Sequence, residues 1–235
     1  MSDYQGGNNV TTPIGPVTDL LSDQAQQRLT EMIEAIEQQP QAIDTLFPAA
    51  AREVGRGAID EADPGGMLGP TLEDAVRGAL LIALRRSETD SSQLLRRVSD
   101  LYRFGDSDER RAILRNLHEL GLNADAAPLV EDALRTNDTR LIGAAMGTWA
   151  GRHLAISPWR HGVLKCLFTG VPLAAVDNLK VRADAELARM VADFCRERVA
   201  AGRDIPPDAT RVFALFPDVL EQYPDVAAAG GSADV

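Results

Sequence analysis

Cysteine and histidine are scarce in this 235-residue chain, and their spacing argues against disulfide bonds and against a metal site. The two isolated cysteines, Cys166 and Cys195, argue against a disulfide framework and fit a reducing compartment, so we expect a cytoplasmic protein. The three histidines show neither H-x-x-x-H nor E-x-x-H spacing, and we therefore predict no metal site. No G-x-G-x-x-G, Walker or G-x-S-x-G motif is present, so the sequence predicts no cofactor and matches no known catalytic template.

Long apolar runs and an excess of basic residues are missing as well. No apolar run reaches the roughly 18 residues of a membrane span, and residues 1–16 have no basic or apolar signal-peptide region. We therefore expect neither membrane insertion nor a signal peptide. Lysine and arginine total 24 against 35 aspartates and glutamates, which gives a net charge of −11. Because binding to nucleic acid or to an anionic membrane draws on a basic surface, we expect no nucleic-acid partner.

Helical periodicity, in contrast, is present from Thr18 onward. Apolar residues recur at spacings of three and four, and no segment shows the β-branched alternation of a strand. Pro48 should interrupt the apolar segment 43–54, and the Gly/Pro-rich residues 56–70 should form a loop. Later helices are predicted at about 125–136, 138–152, 158–169, 182–201 and 208–216.

Capping residues indicate where several of these helices begin. Thr71 with Asp74, Asp90 with Gln93, and Asp106 with Glu109 have the capping-box spacing. Gly121 fits the left-handed position that follows a helix. Either Asn137 or Asp138 is a natural N-cap for the helix that follows it.

Consecutive helices with short connections predict an all-α fold. We expect an irregular α-solenoid of the HEAT or armadillo sort, built from antiparallel helix pairs, although no strict sequence repeat is visible; an irregular bundle is the alternative. The predicted organisation is a disordered N-terminal segment (1–16), one helical domain (17–222) and a disordered C-terminal tail (223–235). The oligomeric state, including a homodimer, is left open.

Residues 157–176, SPWRHGVLKCLFTGVPLAAV, combine polar and apolar side chains most densely. Ser157 and Pro158 fit the N-cap and first position of a helix. At 100° per residue, Trp159, Cys166 and their apolar neighbours form a broad core face, which makes Cys166 an inert thiol. His161 and Lys165 share the narrow remaining face, and Arg160 lies near the helix start. If that face lines a pocket, His161 and Lys165 are candidate catalytic residues; if it meets solvent, the helix is structural.

The preceding predicted helix carries three glycines, Gly143, Gly147 and Gly151, on one stripe. Each glycine inside a helix costs about 1 kcal/mol relative to alanine, so the stripe implies either close helix packing or the floor of a ligand groove. Trp149, His153 and Gly147 are therefore candidate ligand contacts beside Trp159 and Arg160. His153 alternatively caps its helix, where the helix dipole favours a cation. Arg198 projects from the apolar face of a later helix, so we expect it, with Asp184, in inter-helix polar contacts, or else in ligand binding.

Several segments resemble proteins of the EboA family. The most specific similarity covers residues 135–207 and includes RTNDTRLIGAA, PWRHGVLKCLFTGVPLAAVDNL and RADAELARMVADFCRERVAAGRDIPPD. Weaker similarity at FPAAAREVGRGAI and LYRFGDSDERRAILRNL extends the resemblance over residues 20–216. It implies an all-helical bacterial cytoplasmic protein, encoded among genes that make or move a small secondary metabolite, beside prenyltransferase-like and TIM-barrel enzymes. The sequence departs from the family pattern at MGTWAG (146–151) and at Arg160-His161, which points to a specialised member.

Two functions follow from these observations. The first is a helical protein that binds a small hydrophobic or aromatic metabolite, or a partner biosynthetic enzyme, in a groove. The second is a metal-free and cofactor-free enzyme, such as an acid–base isomerase or cyclase, that works through His161, Lys165, Arg160 or His153. The orientation of His161 and Lys165 should distinguish them.

Overall fold

The computed structural model describes residues 15–230, and this part of the chain is all-helical, with no strand. The predicted all-α class is therefore confirmed. The α-helices, in chain order, are α1 (Gly15–Thr18), α2 (Asp23–Gln38), α3 (Ile43–Glu53), α4 (Leu72–Ser87), α5 (Ser91–Phe104), α6 (Ser107–Asn116), α7 (Ala127–Arg135), α8 (Thr139–Ala145), α9 (Thr148–His153), α10 (Ile156–Thr169), α11 (Leu179–Arg182), α12 (Ala185–Ala200), α13 (Ala209–Phe213), α14 (Pro217–Leu220) and α15 (Pro224–Gly230).

One continuous apolar core joins these helices. Helix α4 is buried on most of its faces and packs against α2, α3 and α6. The core then continues from α6 to α8, and from α10 to α7, α8 and α12. Helices α13, α14 and α15 cover α12 at the other end. The superhelical stacking of a solenoid, its antiparallel pairing and the single-domain organisation remain predictions.

The starts of α4, α5 and α6 follow the predicted caps. Thr71 and Asp74 form a reciprocal capping box at α4, and Asp106 and Glu109 form another at α6. Asp90 accepts hydrogen bonds from two backbone N–H groups at the start of α5. Each cap satisfies N–H groups that the first helical turn leaves without partners. Gly121 adopts the predicted left-handed conformation, with φ of +66°.

The predicted break at Pro48 is wrong, because α3 runs through this residue from Ile43 to Glu53. Pro48 lies on the solvent-exposed side of the helix. A proline removes one backbone hydrogen bond, and on this side the freed carbonyl one turn back can be hydrated. The packing of Phe47 and Ala50 on the opposite side then holds the helix together.

The predicted helix 138–152 is instead two helices, α8 and α9, separated at Met146 and Gly147. The Met146 carbonyl accepts a hydrogen bond from the backbone N–H of Asp177, 3.0 Å away, and Gly147 is extended. The three glycines therefore do not form one helical stripe. Close backbone approach explains two of them: Met67 lies against Gly143, and a Cβ atom placed on Gly151 would lie 2.6 Å from Asp177 Oδ2.

Three further boundaries differ from the predictions. Helix α10 begins at Ile156, with Ala155 and not Ser157 at the N-cap. The predicted helix 182–201 is divided by Asp184, which caps α12 by accepting from the N–H of Leu187. Residues 224–230 of the predicted disordered tail form α15, because Val226 is buried against the core. Residues 15 and 16 belong to α1, and the rest of the predicted N-terminal segment lies outside the described residues.

A buried ionic cluster joins α4 to α6. Asp74 and Arg111 are 0% and 1% exposed, and Arg111 Nε lies 2.9 Å from Asp74 Oδ2. The same guanidinium donates to Thr71 Oγ1 and to Asp108 Oδ1. Arg115 Nε lies 3.5 Å from Asp74 Oδ2, and this arginine donates to backbone carbonyls of the 56–70 loop. Because each buried charge has an opposite charge beside it, the cluster fixes how α4, α6 and this loop are placed.

Candidate functional site

The predicted catalytic side chains line a groove between α7 and α10. This α7–α10 groove has a volume of about 550 Å³ and opens broadly to solvent. Helix α7 and α10 supply one wall each, and the lining residues are Glu131, Leu134, Arg135, Ser157, Pro158, His161, Gly162 and Lys165.

Helix α10 places His161 and Lys165 on the same edge of the groove, one turn apart, as their spacing predicts. His161 is exposed, and its Nδ1 lies 2.9 Å from the backbone oxygen of Ser157, one turn earlier. Lys165 is half-buried, and its Nζ donates to Asn137 Oδ1 at 2.9 Å. Asn137 is therefore not the N-cap of α8: Asp138 caps that helix, and Asn137 positions the lysine.

The charge of the groove differs from that of the protein as a whole. Among its lining residues, Arg135 and Lys165 bring two cations and Glu131 one carboxylate, and Asp132 Oδ1 lies 4.0 Å from Arg135 Nη1. Within residues 15–230, no carboxylate lies in ion-pair distance of Lys165, which donates instead to the neutral amide of Asn137. In a chain of net charge −11, Lys165 is therefore a groove cation that no carboxylate of the described residues neutralises by direct pairing.

The floor of the groove is apolar. Leu134 of α7 is half-buried and lies close to Gly162 of α10. A Cβ atom placed on Gly162 would lie 2.3 Å from Met146 Sδ and 3.3 Å from Leu134 Cδ1. The glycine thus leaves room first for Met146, which follows α8, and then for Leu134 of α7, whose side chain lines the groove.

The predicted ligand contacts Trp149, Trp159, Gly147 and His153 do not line this groove. Trp159 is 0% exposed, and the Arg182 guanidinium lies 4.8 Å from the centre of its ring. Trp149 is also buried, and its ring centre lies 5.5 Å from that of His153 at the exposed end of α9. Gly147 forms the start of α9. The two tryptophans therefore have core positions, away from the edge that carries His161.

Arg160 and Arg198 have protein partners outside the groove. Arg160 forms a two-pronged ion pair with Asp184, which links α10 to α12, and this hydrogen bonding lowers the pKa of the Asp184 carboxyl. Asp184 thus makes the expected inter-helix contact, but with Arg160. Arg198 is half-buried beside the Phe194 ring and donates to the Asp204 carbonyl at 2.7 Å.

Both cysteines are buried, as predicted for Cys166. Burial is the main cause that raises the pKa of Cys166 to about 12 and that of Cys195 to about 11. A thiol with such a pKa is almost entirely protonated at neutral pH and is therefore a poor nucleophile. The interpretation of Cys166 as an inert core residue is thus supported by its surroundings.

Sequence reasoning missed the wall that α7 contributes. Glu131 and Leu134 have ordinary helical spacing, and nothing near them in the sequence indicates a groove. Asn137 was attributed to capping alone, because its contact with Lys165 spans 28 positions of the chain.

Fold and site together define an all-helical protein with an open, partly cationic groove. The family model described as "Metabolite traffic protein EboA" matches residues 69–214, which include the whole α7–α10 groove. The chain therefore belongs to the EboA family. Comparison with curated proteins and with solved structures finds no match. Across the described residues 15–230, none of the helices has both the length and the apolar character needed to cross a membrane.

Proposed function

We propose that this protein is a non-catalytic carrier that binds a small metabolite in the α7–α10 groove. The observation that carries the proposal is the pairing of an apolar floor at Leu134 with cationic edges at Lys165 and Arg135. Such a groove suits a ligand with a hydrophobic or aromatic body and one anionic group, such as a carboxylate. The metabolite-traffic description of the family supports a role in moving this ligand.

The open shape of the groove favours binding over the alternative function, a cofactor-free acid–base enzyme. Electrostatic stabilisation of a transition state is strongest where the site excludes water. His161 is exposed, and both His161 and Lys165 already have hydrogen-bonding partners in the protein. The same features suit a carrier, because a ligand held in an open groove can be passed to a biosynthetic enzyme without large rearrangement.

The groove should bind its ligand with moderate affinity. An exposed ion pair contributes about 0.2–1 kcal/mol, and the half-buried position of Lys165 places its contribution near the upper end. Burial of apolar surface on Leu134 adds about 25 cal/mol per Å². Charge therefore mainly determines which ligand is preferred, and burial of apolar surface supplies much of the free energy of binding.

The chain offers a matched control for this proposal, because its two lysines lie in different places. The probe is 8-anilinonaphthalene-1-sulfonate, an aromatic anion whose fluorescence reports binding. We expect Lys165→Met to weaken binding by up to about fivefold, Lys165→Arg to retain most of it, and Lys180→Met on the exposed side of α11 to leave it unchanged. Equal affinities for the Lys165→Met and Lys180→Met proteins would contradict the proposal.

A second experiment separates the carrier from the enzyme. The protein is incubated with metabolite extract, and both the bound and the free compounds are identified by mass spectrometry. A carrier retains one compound, and the total amount of every compound, bound plus free, stays the same. Consumption of a metabolite that stops in His161→Ala and Lys165→Ala would support the enzyme instead.

A further inference from the structure

A second cavity, separate from the α7–α10 groove, lies between α1, α4, α6 and the 56–70 loop. Its volume is about 280 Å³, and it is more enclosed than the groove. The walls are apolar, with Ile82 and Ala79 from α4 and with Leu20 and Ile59 at the partly exposed rim. Among residues 15–230, Asn116 supplies the only polar side chain that lines it.

The amide of Asn116 is held in one orientation. Its Nδ2 donates to the Ala112 carbonyl at 2.8 Å and to the Asp74 carbonyl at 3.2 Å. Both amide hydrogens are therefore committed to backbone acceptors. Asp74 itself is fixed by the buried ionic cluster with Arg111, so the backbone that receives one of these bonds is firmly placed.

The remaining oxygen of this amide is an acceptor without a donor. No hydrogen bond to Asn116 Oδ1 forms among residues 15–230, and the oxygen lies beside Gly78, another residue that lines the cavity. A Cβ atom placed on Gly78 would lie 2.3 Å from Oδ1. Glycine at this position thus leaves room for a fixed carbonyl at the cavity wall.

We propose that this cavity is a second ligand site, for a small neutral apolar molecule with one hydrogen-bond donor. A cavity of about 150 Å³ accepts a benzene ring, so 280 Å³ suits a bicyclic molecule. Its O–H or N–H group donates to Asn116 Oδ1, while the ring system packs on Ala79 and Ile82. An apolar pocket with one well-placed polar group is the usual form of a small-molecule site. An anion is disfavoured, because the described residues that line the cavity offer an acceptor and no cation.

The test uses two probes of nearly the same shape, 2-naphthol and naphthalene, titrated into the full chain by isothermal calorimetry. Wild-type protein should bind 2-naphthol about 3- to 10-fold more tightly, the ratio that corresponds to one neutral hydrogen bond. Asn116→Leu should abolish this preference and keep naphthalene binding. Ala75→Leu, at a half-buried position of the cavity wall, should weaken both probes at least tenfold.

The surface variant Lys180→Met serves as the control, because Lys180 is exposed on α11 and lines neither the cavity nor the groove, so it should leave 2-naphthol binding unchanged. The Ala75→Leu variant also tests the site if Asn116→Leu fails to fold, since it leaves the Asn116 hydrogen bonds intact. Equal wild-type affinity for the two probes would overturn the proposal. So would 2-naphthol binding that Ala75→Leu does not alter.

Discussion

Replacing Arg111 by methionine should destabilise the fold severely, because it leaves a carboxylate buried without its main partner. In the native protein, the Arg111 Nε contacts both Asp74 oxygens, at 2.9 and 3.1 Å, and the guanidinium also binds Thr71 and Asp108. Methionine has a similar length and keeps much of the apolar packing. The substitution therefore removes the charge and the hydrogen bonds and preserves most of the volume.

The expected loss is about 3–5 kcal/mol in the free energy of unfolding, the usual effect of breaking a buried ion pair. Asp74 is 0% exposed, so water cannot replace the lost partner, and the next cation, Arg115, lies at 3.5 Å through its Nε. The total stability of a domain is about 5–15 kcal/mol, so this single change removes a large share of it.

Urea unfolding followed by far-ultraviolet circular dichroism measures this loss at pH 7. The control is Arg189→Met, which removes an exposed ion pair to Glu186 and should cost less than about 1 kcal/mol. Adding Asp74→Asn to Arg111→Met should recover part of the stability, because the buried charge is gone. A loss below about 1 kcal/mol for Arg111→Met would refute the reasoning.

Three further predictions concern a cap, an ion pair and a thiol. Asp106→Ala should cost about 1 kcal/mol in urea unfolding, because the Glu109 backbone N–H at the start of α6 loses the Asp106 carboxylate that caps it; no change would show that the cap is dispensable. The Asp184 pKa lies below its ordinary value of 3.8 because of Arg160, so the pair stabilises the fold above that pH and loses this contribution as pH falls through the lowered pKa. The melting temperature should therefore fall less in Arg160→Gln than in the native protein when the pH is lowered from 5 to below the Asp184 pKa. An equal fall in both proteins would contradict a stabilising Arg160–Asp184 pair. Cys166 should resist iodoacetamide at pH 8 in the folded protein and react after unfolding, which mass spectrometry distinguishes.

Helix starts could be predicted from the sequence because a cap acts within three or four residues. Thr71 with Asp74 and Asp106 with Glu109 satisfy N–H groups of their own first turn, so the spacing alone carries the information. The break at Met146 could not be predicted in this way. Its carbonyl is bound by the N–H of Asp177, a partner that only folding brings close.

The same distinction applies to the candidate site. Helical spacing placed His161 and Lys165 on one edge of α10. The position of Cys166 on the apolar face of the same helix predicted that it lies in the core. Spacing could not supply the opposite wall, where Leu134 comes from another helix, or show that Trp149 and Trp159 are buried.

By itself, the sequence determined the all-helical class, the capped starts of α4, α5 and α6 and the edge shared by His161 and Lys165, because these depend on periodicity and on contacts within one turn. The tertiary structure alone decided that α3 continues through Pro48, that α10 meets α7 in an open groove, and that Asn116 lines a second cavity. Each of these depends on which distant residues pack together, and short-range spacing carries no record of that packing.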